Sequence, residues 1–408
     1  MSFFSLVGRF PVSVAIPATG ILLSVAACSD GTGPTEHPLF EPTASARWNA
    51  IARDLVIKYR TDPPMASRFY ALVSVGQDRA VTAALGFVGA GPRVLDHAAA
   101  VGASAAVLTY AYPSEAALID SLARADLGNP LWSADPLVNV AAGDSVGRAI
   151  AAELIAERST DGSGAVWTGT IPTGPGMWFS SLVPPQPPLR PLWGTVRPWL
   201  MAHGDQFRPE SPPAFGSSGF QAALAEVRQY SDSRTQRELD IATHWGDGAG
   251  TYTPPGHWNR IAADLVIWYN LTERDVARVL AMLNMAMMDA GIAVWDAKYT
   301  YWLLRPSQAE PAITTPVGLP NFPSYVSGHS GFSGAASEVL GYFFPEERAR
   351  LREQAEEAAM SRLYGGIHFR FDNEVGLRMG RAVGAIVIDD ERSRGSQTFQ
   401  RWVALGGR

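Results

Sequence analysis

Cysteine is nearly absent from this 408-residue chain, with Cys28 the single one. An intramolecular disulfide is therefore impossible, and so is any thiolate-rich zinc or iron–sulfur centre. Basic charge is in short supply as well: 33 Lys and Arg stand against 39 Asp and Glu, for a net charge of −6 and a pI near 5.7. No basic surface argues for nucleic acid, and any anion site must be built locally against the overall charge. Runs of alternating β-branched residues are missing, which weighs against sheet. Past the N-terminal segment we read no stretch with the ~20 uninterrupted apolar residues that a membrane span needs. What remains is a globular composition, 47% hydrophobic and 18% charged, with a mean hydropathy of zero. The length allows two domains, or one domain duplicated.

The N-terminus follows the pattern of an export signal: Arg9, an apolar run, then small residues ahead of Cys28. Val25-Ala26-Ala27-Cys28 resembles the lipobox of bacterial lipoproteins. That resemblance implies a signal peptide over residues 1–28, lipidation of Cys28 and a polar tether over 29–44. The body is then exported, as a periplasmic or cell-surface lipoprotein touching the membrane only through its anchor. The plainer alternative is a lone cysteine at the end of a transmembrane anchor.

A repeat organises the rest. Residues 48–59 (WNAIARDLVIKY) and 258–269 (WNRIAADLVIWY) agree at nine of twelve positions. Further on, His97 and Tyr110 fall opposite His329 and Tyr342, and Gly147-Arg148-Ala149 opposite Gly380-Arg381-Ala382. Apolar residues recur at helical spacing in both copies, and Ala/Leu/Glu/Arg-rich segments follow at 66–87, 97–126, 140–158, 274–304, 329–342, 346–364 and 374–392. The expected fold is all-α: two related helical bundles, an N-terminal one over 45–159 and a C-terminal one over 257–395, with a tail over 396–408. Between the bundles, 160–256 reads as a long Pro/Gly/Trp-rich connection with one helix near 218–242, too apolar for a disordered linker.

Three segments of the second copy carry chemistry. Lys298 and Arg305, seven apart, share one face of a helix that Pro306 then ends. Ser327-Gly328-His329 opens a helix, placing a hydroxyl and free backbone N–H groups at its positive end. Arg362 and His368 would diverge on one continuous helix, but Gly365-Gly366 can break it and turn both inward. Taken singly, these are an ordinary solvated face, an ordinary helix start and an ordinary loop. Together they supply three cations, a hydroxyl, a glycine N–H and two histidines. That inventory suits a phosphate or vanadate far better than a divalent cation.

Lys-x6-Arg-Pro, Ser-Gly-His and Ser-Arg-x5-His-x3-Asp, in that order, resemble the three-part signature of one superfamily. It unites type 2 phosphatidic acid phosphatases, bacterial class A acid phosphatases and vanadium-dependent haloperoxidases. The flanks Trp295-Asp296-Ala297-Lys298 and His368-Phe369-Arg370-Phe371-Asp372 look most like the bacterial haloperoxidase branch. One departure is Val326, where the phosphatase pattern has proline.

The resemblance implies that Lys298, Arg305, Ser327, Gly328 and Arg362 hold the oxygens of vanadate. It makes His368 the axial vanadium ligand and His329 the general acid–base, and Asp372 could orient the His368 ring. Lys298 would polarise hydrogen peroxide, and a halide and a small organic acceptor complete the reaction. Trp295 and Phe322 match positions lining the halide side. The alternative is an acid phosphatase with no cofactor, phosphate bound as substrate, His368 as nucleophile and His329 as general acid. Carrying the repeat offset across puts Val88 and Leu95 where Lys298 and Arg305 stand, so one site per chain is expected. His97, His203, His244 and His257 then read as satisfied core or surface histidines.

Overall fold

The computed structural model describes residues 43–87 and 92–393. Cys28 with its signal peptide, the tether up to residue 42, Val88 and the tail 396–408 lie outside the described residues. Helix α1 (Ala44–Lys58) starts at a Thr43 cap, and α2 (Pro63–Gly86) at an Asp62 cap with proline at N1. A two-residue strand β1 (Arg93–Val94) precedes α3 (Asp96–Ala111), α4 (Ala116–Leu127) and the short α5 (Pro130–Ser133). Strand β2 (Val138–Asn139) pairs in parallel with β1 and leads into α6 (Val140–Arg158). The connection contributes α7 (Ser218–Ser233) and α8 (Gln236–His244). The C-terminal half holds α9 (Thr253–Trp268), α10 (Glu273–Tyr301), α11 (Pro306–Ala309), α12 (Gly328–Phe343), α13 (Arg348–Tyr364) and α14 (Arg370–Ser393).

The fold is all-α, as expected, and three predicted segments are cut differently. The segment 97–126 is two helices, because Pro113 cannot continue α3 and starts a 3-10 turn ahead of α4. The helix near 218–242 is also two, since Thr235 begins α8 afresh with a capping box to Glu238. The segment 274–304 stops at Tyr301. One statement about membranes is corrected too: α10 is long and apolar enough to cross one by composition, but its apolar window is 94% buried inside the protein.

The two halves solve one packing problem in the same way. Helix α3 packs on α6 as α12 packs on α14. A Cβ on Gly147 would stand 2.1 Å from the Ala99 carbonyl, and one on Gly380 2.1 Å from the Gly331 carbonyl. Glycine is what lets each helix pair approach so closely. Between the halves runs a buried amide chain. Asn49 donates to Asn259 Oδ1 (2.8 Å), Asn259 to Asn284 Oδ1 (2.7 Å), and Asn284 to Ser74 Oγ (2.9 Å).

The connection wraps rather than links. Its Trp193, Val196, Phe220, Val227 and Trp245 are buried in the core of the C-terminal half. Asp289 of α10, fully buried, accepts the backbone N–H groups of Trp199, Leu200 and Met201 at 2.7, 2.8 and 3.1 Å. Loss of water around that carboxylate outweighs the three donors and raises its pKa to about 6.

Candidate active site

Helix α10 delivers Lys298 in its last turn and then stops, because Trp302 takes a left-handed conformation (φ 48°) and caps the Lys298 carbonyl. The chain leaves extended, so Arg305 is not on the helix with Lys298, contrary to the sequence reading. Arg305 is instead the N-cap of α11, and Pro306 opens that helix rather than ending α10. The two cations converge all the same. Lys298 is wholly buried, with Nζ donating to the carbonyls of Pro323 (2.9 Å) and Ser324 (2.8 Å). Nζ also lies 5.0 Å from the Phe322 ring and 5.9 Å from that of Trp295. Burial, then Arg305, pushes the Lys298 pKa well below its usual value.

Arg305 donates Nε to Phe322 O (3.0 Å) and Nη1 to both Ile367 O (2.8 Å) and His368 Nε2 (2.9 Å). Its Nη2 is buried with no partner among the described residues. Burial brings the guanidinium down to about 9, so it remains charged at neutral pH. Arg362 closes α13, bonding Ser361 Oγ (2.8 Å) and the carbonyl of Ala242 (2.7 Å) at the end of α8. The glycine pair behind it breaks the helix as expected. Gly366 takes φ +71°, and a Cβ there would stand 2.4 Å from the Thr314 carbonyl.

The Ser-Gly-His segment does open a helix. Ser327 caps α12, accepting the Ser330 N–H, and its own N–H donates to the Asp372 carbonyl at 3.0 Å. The first-turn amide of Gly328 lies beside it. His329 bonds the Trp245 backbone, while burial and then Arg362 hold its pKa well below the usual imidazole value. Its Nε2 is buried with no partner among the described residues.

His368 stands just ahead of α14, not on it, and Asp372 lies in the helix's first turn. Nδ1 meets Asp372 Oδ2 at 2.8 Å, and burial is the largest cause of its lowered pKa, ahead of Arg305 and Lys298. Burial and the neighbouring cations thus disfavour the protonated ring. With Nδ1–H given to the carboxylate, the lone pair sits on Nε2, where Arg305 now donates to it. Asp372 Oδ2 also accepts Ser324 Oγ–H (2.5 Å) and the Phe369 N–H (3.1 Å), and burial raises its pKa to about 6.

Ser324 is the residue sequence reasoning missed. It lies in the Phe322–His329 stretch, but nothing local announces a contact with a carboxylate 48 residues on. The connection's part was also illegible. The Leu189 carbonyl accepts the Trp295 indole N–H (3.2 Å) and the Tyr299 hydroxyl (2.6 Å) behind the site. Trp295 and Phe322 pack ring to ring at 5.1 Å. Of the histidines read as satisfied, His257 is buried against Asp247 (3.1 Å) and stacked on Trp245.

The balance of charge decides what the site can hold. Lys298, Arg305 and Arg362 are all buried, and among the described residues none of them is ion-paired; Asp372 joins the cluster through His368. Burying unpaired cations is costly unless an anion joins them. The idle Arg305 Nη2, the Ser327 hydroxyl and the α12 N-terminus are donors, and His368 Nε2 would be a ligand once released from Arg305 Nη1. Among the described residues no group of three or more His, Cys, Asp or Glu could hold a metal cation. The donor set fits a tetrahedral oxyanion, vanadate included.

This is an all-α protein with a cluster of buried Lys and Arg side chains in its C-terminal half. Residues 278–394 match the family model of the PAP2 superfamily. Over 145 residues, 28% of this chain, it is 27% identical to the vanadium chloroperoxidase of Curvularia inaequalis, a match covering only 24% of that relative. A solved bacterial vanadium-dependent iodoperoxidase superimposes with a TM-score of 0.73 at 26% identity, over 87% of this chain and 98% of that one. A holo bacterial vanadium-dependent chloroperoxidase shares the fold (TM-score 0.64) at 14% identity, over 80% and 91% of the two chains. The resemblance read from the sequence therefore stands: the chain has the fold of the vanadium haloperoxidases and carries a PAP2-superfamily segment within it.

Proposed function

We propose that this chain is a vanadate-dependent haloperoxidase that oxidises halide with hydrogen peroxide to a hypohalous species, which a small organic acceptor consumes. The observation that carries this reading is His368, held by Asp372 through Nδ1 and facing Arg305 Nη1 through Nε2, with Lys298 and Arg362 buried in the same cluster. Lys298, Arg305, Arg362, Ser327 Oγ and the Gly328 N–H would hold the oxygens of vanadate, with His368 Nε2 on the metal. Bound vanadate would supply a Lewis-acidic centre for peroxide chemistry without changing oxidation state. His329, whose protonated form burial disfavours and whose Nε2 is idle, would take the proton of incoming peroxide. Lys298 would polarise that peroxide from the side of Trp295 and Phe322. Following the lipobox reading, the enzyme would work outside the cytoplasm, anchored through Cys28.

The likeness to an iodoperoxidase over nearly that whole chain supports this over the second reading. The second reading is a phosphomonoesterase, with His368 Nε2 as nucleophile and His329 protonating the leaving group. It draws on the same cradle and on the PAP2-superfamily match, whose segment covers only the C-terminal half. One comparison separates them: iodide and bromide oxidation by peroxide, with and without orthovanadate, against hydrolysis of an aryl phosphate. Halogenation that requires vanadate and disappears in His368→Ala is expected. Phosphatase turnover inhibited by vanadate, with no halogenation, would replace the first reading by the second.

A further inference from the structure

Away from the cradle, α13 and α14 part to leave a second cavity of about 350 Å³. Its walls are of two kinds. Ala359, Met360 and Leu377 are apolar, while Arg370, Arg378, Arg381 and Asn373 bring donors. The volume lies within the range of small-molecule sites.

The donors are not all spent. Arg370 is paired with Glu226 and Arg381 with Glu356 through Nη2, but Arg381 Nε is buried without a partner among the described residues. Asn373 is 3% exposed; its Oδ1 accepts the Ser330 hydroxyl (3.3 Å), and its Nδ2 has no partner among the described residues. A buried amide N–H left idle costs about as much as a lost hydrogen bond, so it marks a place where a ligand completes the structure. Arg378 is exposed and has no ion-pair partner among the described residues, while Glu374 and Glu356 line the same cavity. Arg370 and Arg381 are offset by Glu226 and Glu356, and Arg378 stands in the same lining as Glu374, so the cavity is close to neutral and disfavours a dianion. The idle N–H groups of Arg381 and Asn373 call for an acceptor, and the apolar wall for a hydrocarbon body.

We propose that this cavity is a binding site for a small organic carboxylate, its anionic end held by Arg378, Arg381 Nε and Asn373 Nδ2 and its body laid on Met360 and Leu377. The site is separate from the cradle but one residue from Asp372, and Asn373 reaches Ser330, next to His329.

Calorimetric titration of the full chain with benzoate tests this. Saturable binding is expected, weakened at least about tenfold in Arg378→Ala, where a charge-assisted contact is removed from an exposed position without cost to the core. Asn373→Ala should weaken it too, Glu374→Gln should strengthen it, and Arg305→Ala should leave it unchanged. Absence of saturable binding would overturn the proposal. So would binding abolished by Arg305→Ala yet indifferent to Arg378→Ala, since benzoate would then be reporting the cradle. Inorganic phosphate bound here more tightly than benzoate would also overturn the assignment to a monocarboxylate.

Discussion

Replacing Asp372 by asparagine removes one charge and almost no volume from the centre of the cradle. Three donors converge on Asp372 Oδ2, from His368, Ser324 and Phe369, at 2.8, 2.5 and 3.1 Å. An amide oxygen can still accept them, but without charge, and a charge-assisted bond is worth roughly twice a neutral one. The lost increment is of order 1–2 kcal/mol. The amide also offers its own N–H, which can turn the imidazole over and put the proton on Nε2. Loss of a partner behind a metal-bound histidine typically costs about 10–100-fold in affinity, or roughly 1.4–2.8 kcal/mol, consistent with the bond count.

Asp372→Asn should therefore weaken orthovanadate binding, measured by calorimetry near neutral pH, by that factor. The pH dependence supplies an internal control. Asp372 has its pKa raised to about 6 from the usual 3.8, so the wild-type carboxylate protonates as pH falls through about 6. The ratio of wild-type to variant affinity, in which titration of the anion itself cancels, should then shrink towards one. Stability should move the other way. A carboxyl whose folded pKa is raised binds protons more readily folded than unfolded, so its protonation stabilises the fold between about pH 6 and 4. An affinity ratio within about twofold of one near neutral pH, or a gap undiminished in acid, would refute the role of the Asp372 charge.

Arg305→Ala removes the largest charge acting on His368, so the His368 pKa should rise, which a histidine NMR titration would show; no upward movement would contradict the assigned contact. His329→Ala should keep oxyanion affinity within a few-fold while turnover falls about 10²–10⁴-fold, as for loss of a general acid–base, and equal losses in both would point to a binding role instead. Gly366→Ala forces a Cβ to 2.4 Å from the Thr314 carbonyl at φ +71°, and should cost upwards of about 1–2 kcal/mol in denaturant unfolding. Gly147→Ala and Gly380→Ala meet carbonyls at the same 2.1 Å and should lower the melting temperature by similar amounts; a tolerated Gly380→Ala would mean that α12 and α14 part easily.

Much of this could be read from the chain because the cues are local. The Ser327-Gly328-His329 helix start and the Gly365-Gly366 break act within a turn of where they stand. The site's cations were legible from the order and spacing of three segments that resemble a known signature, not from the shared helix face expected for Lys298 and Arg305. Where the reading slipped, the cause lay elsewhere in the fold. Trp302 adopts a left-handed conformation that its residue type disfavours, held between the carbonyl of Lys298 and the N–H of Trp178, which comes from the connection. That stop is what frees Arg305 from the helix. Ser324 and the carbonyls of Ala242, Leu189 and Trp245 enter through long-range contacts that no sequence window contains.

Those carbonyls bear on how far the chain can be divided. A fragment beginning at Thr253 would carry every cation and both imidazoles of the cradle, and so the full signature. It would lack the acceptor that Arg362 leans on, the backbone group that fixes His329, and the oxygen behind Trp295 and Tyr299. Asp289 would lose the three amides it grips. The segment that looks like a spacer is thus the back wall of the reaction vessel, and the portable unit here is larger than the motif that advertises it.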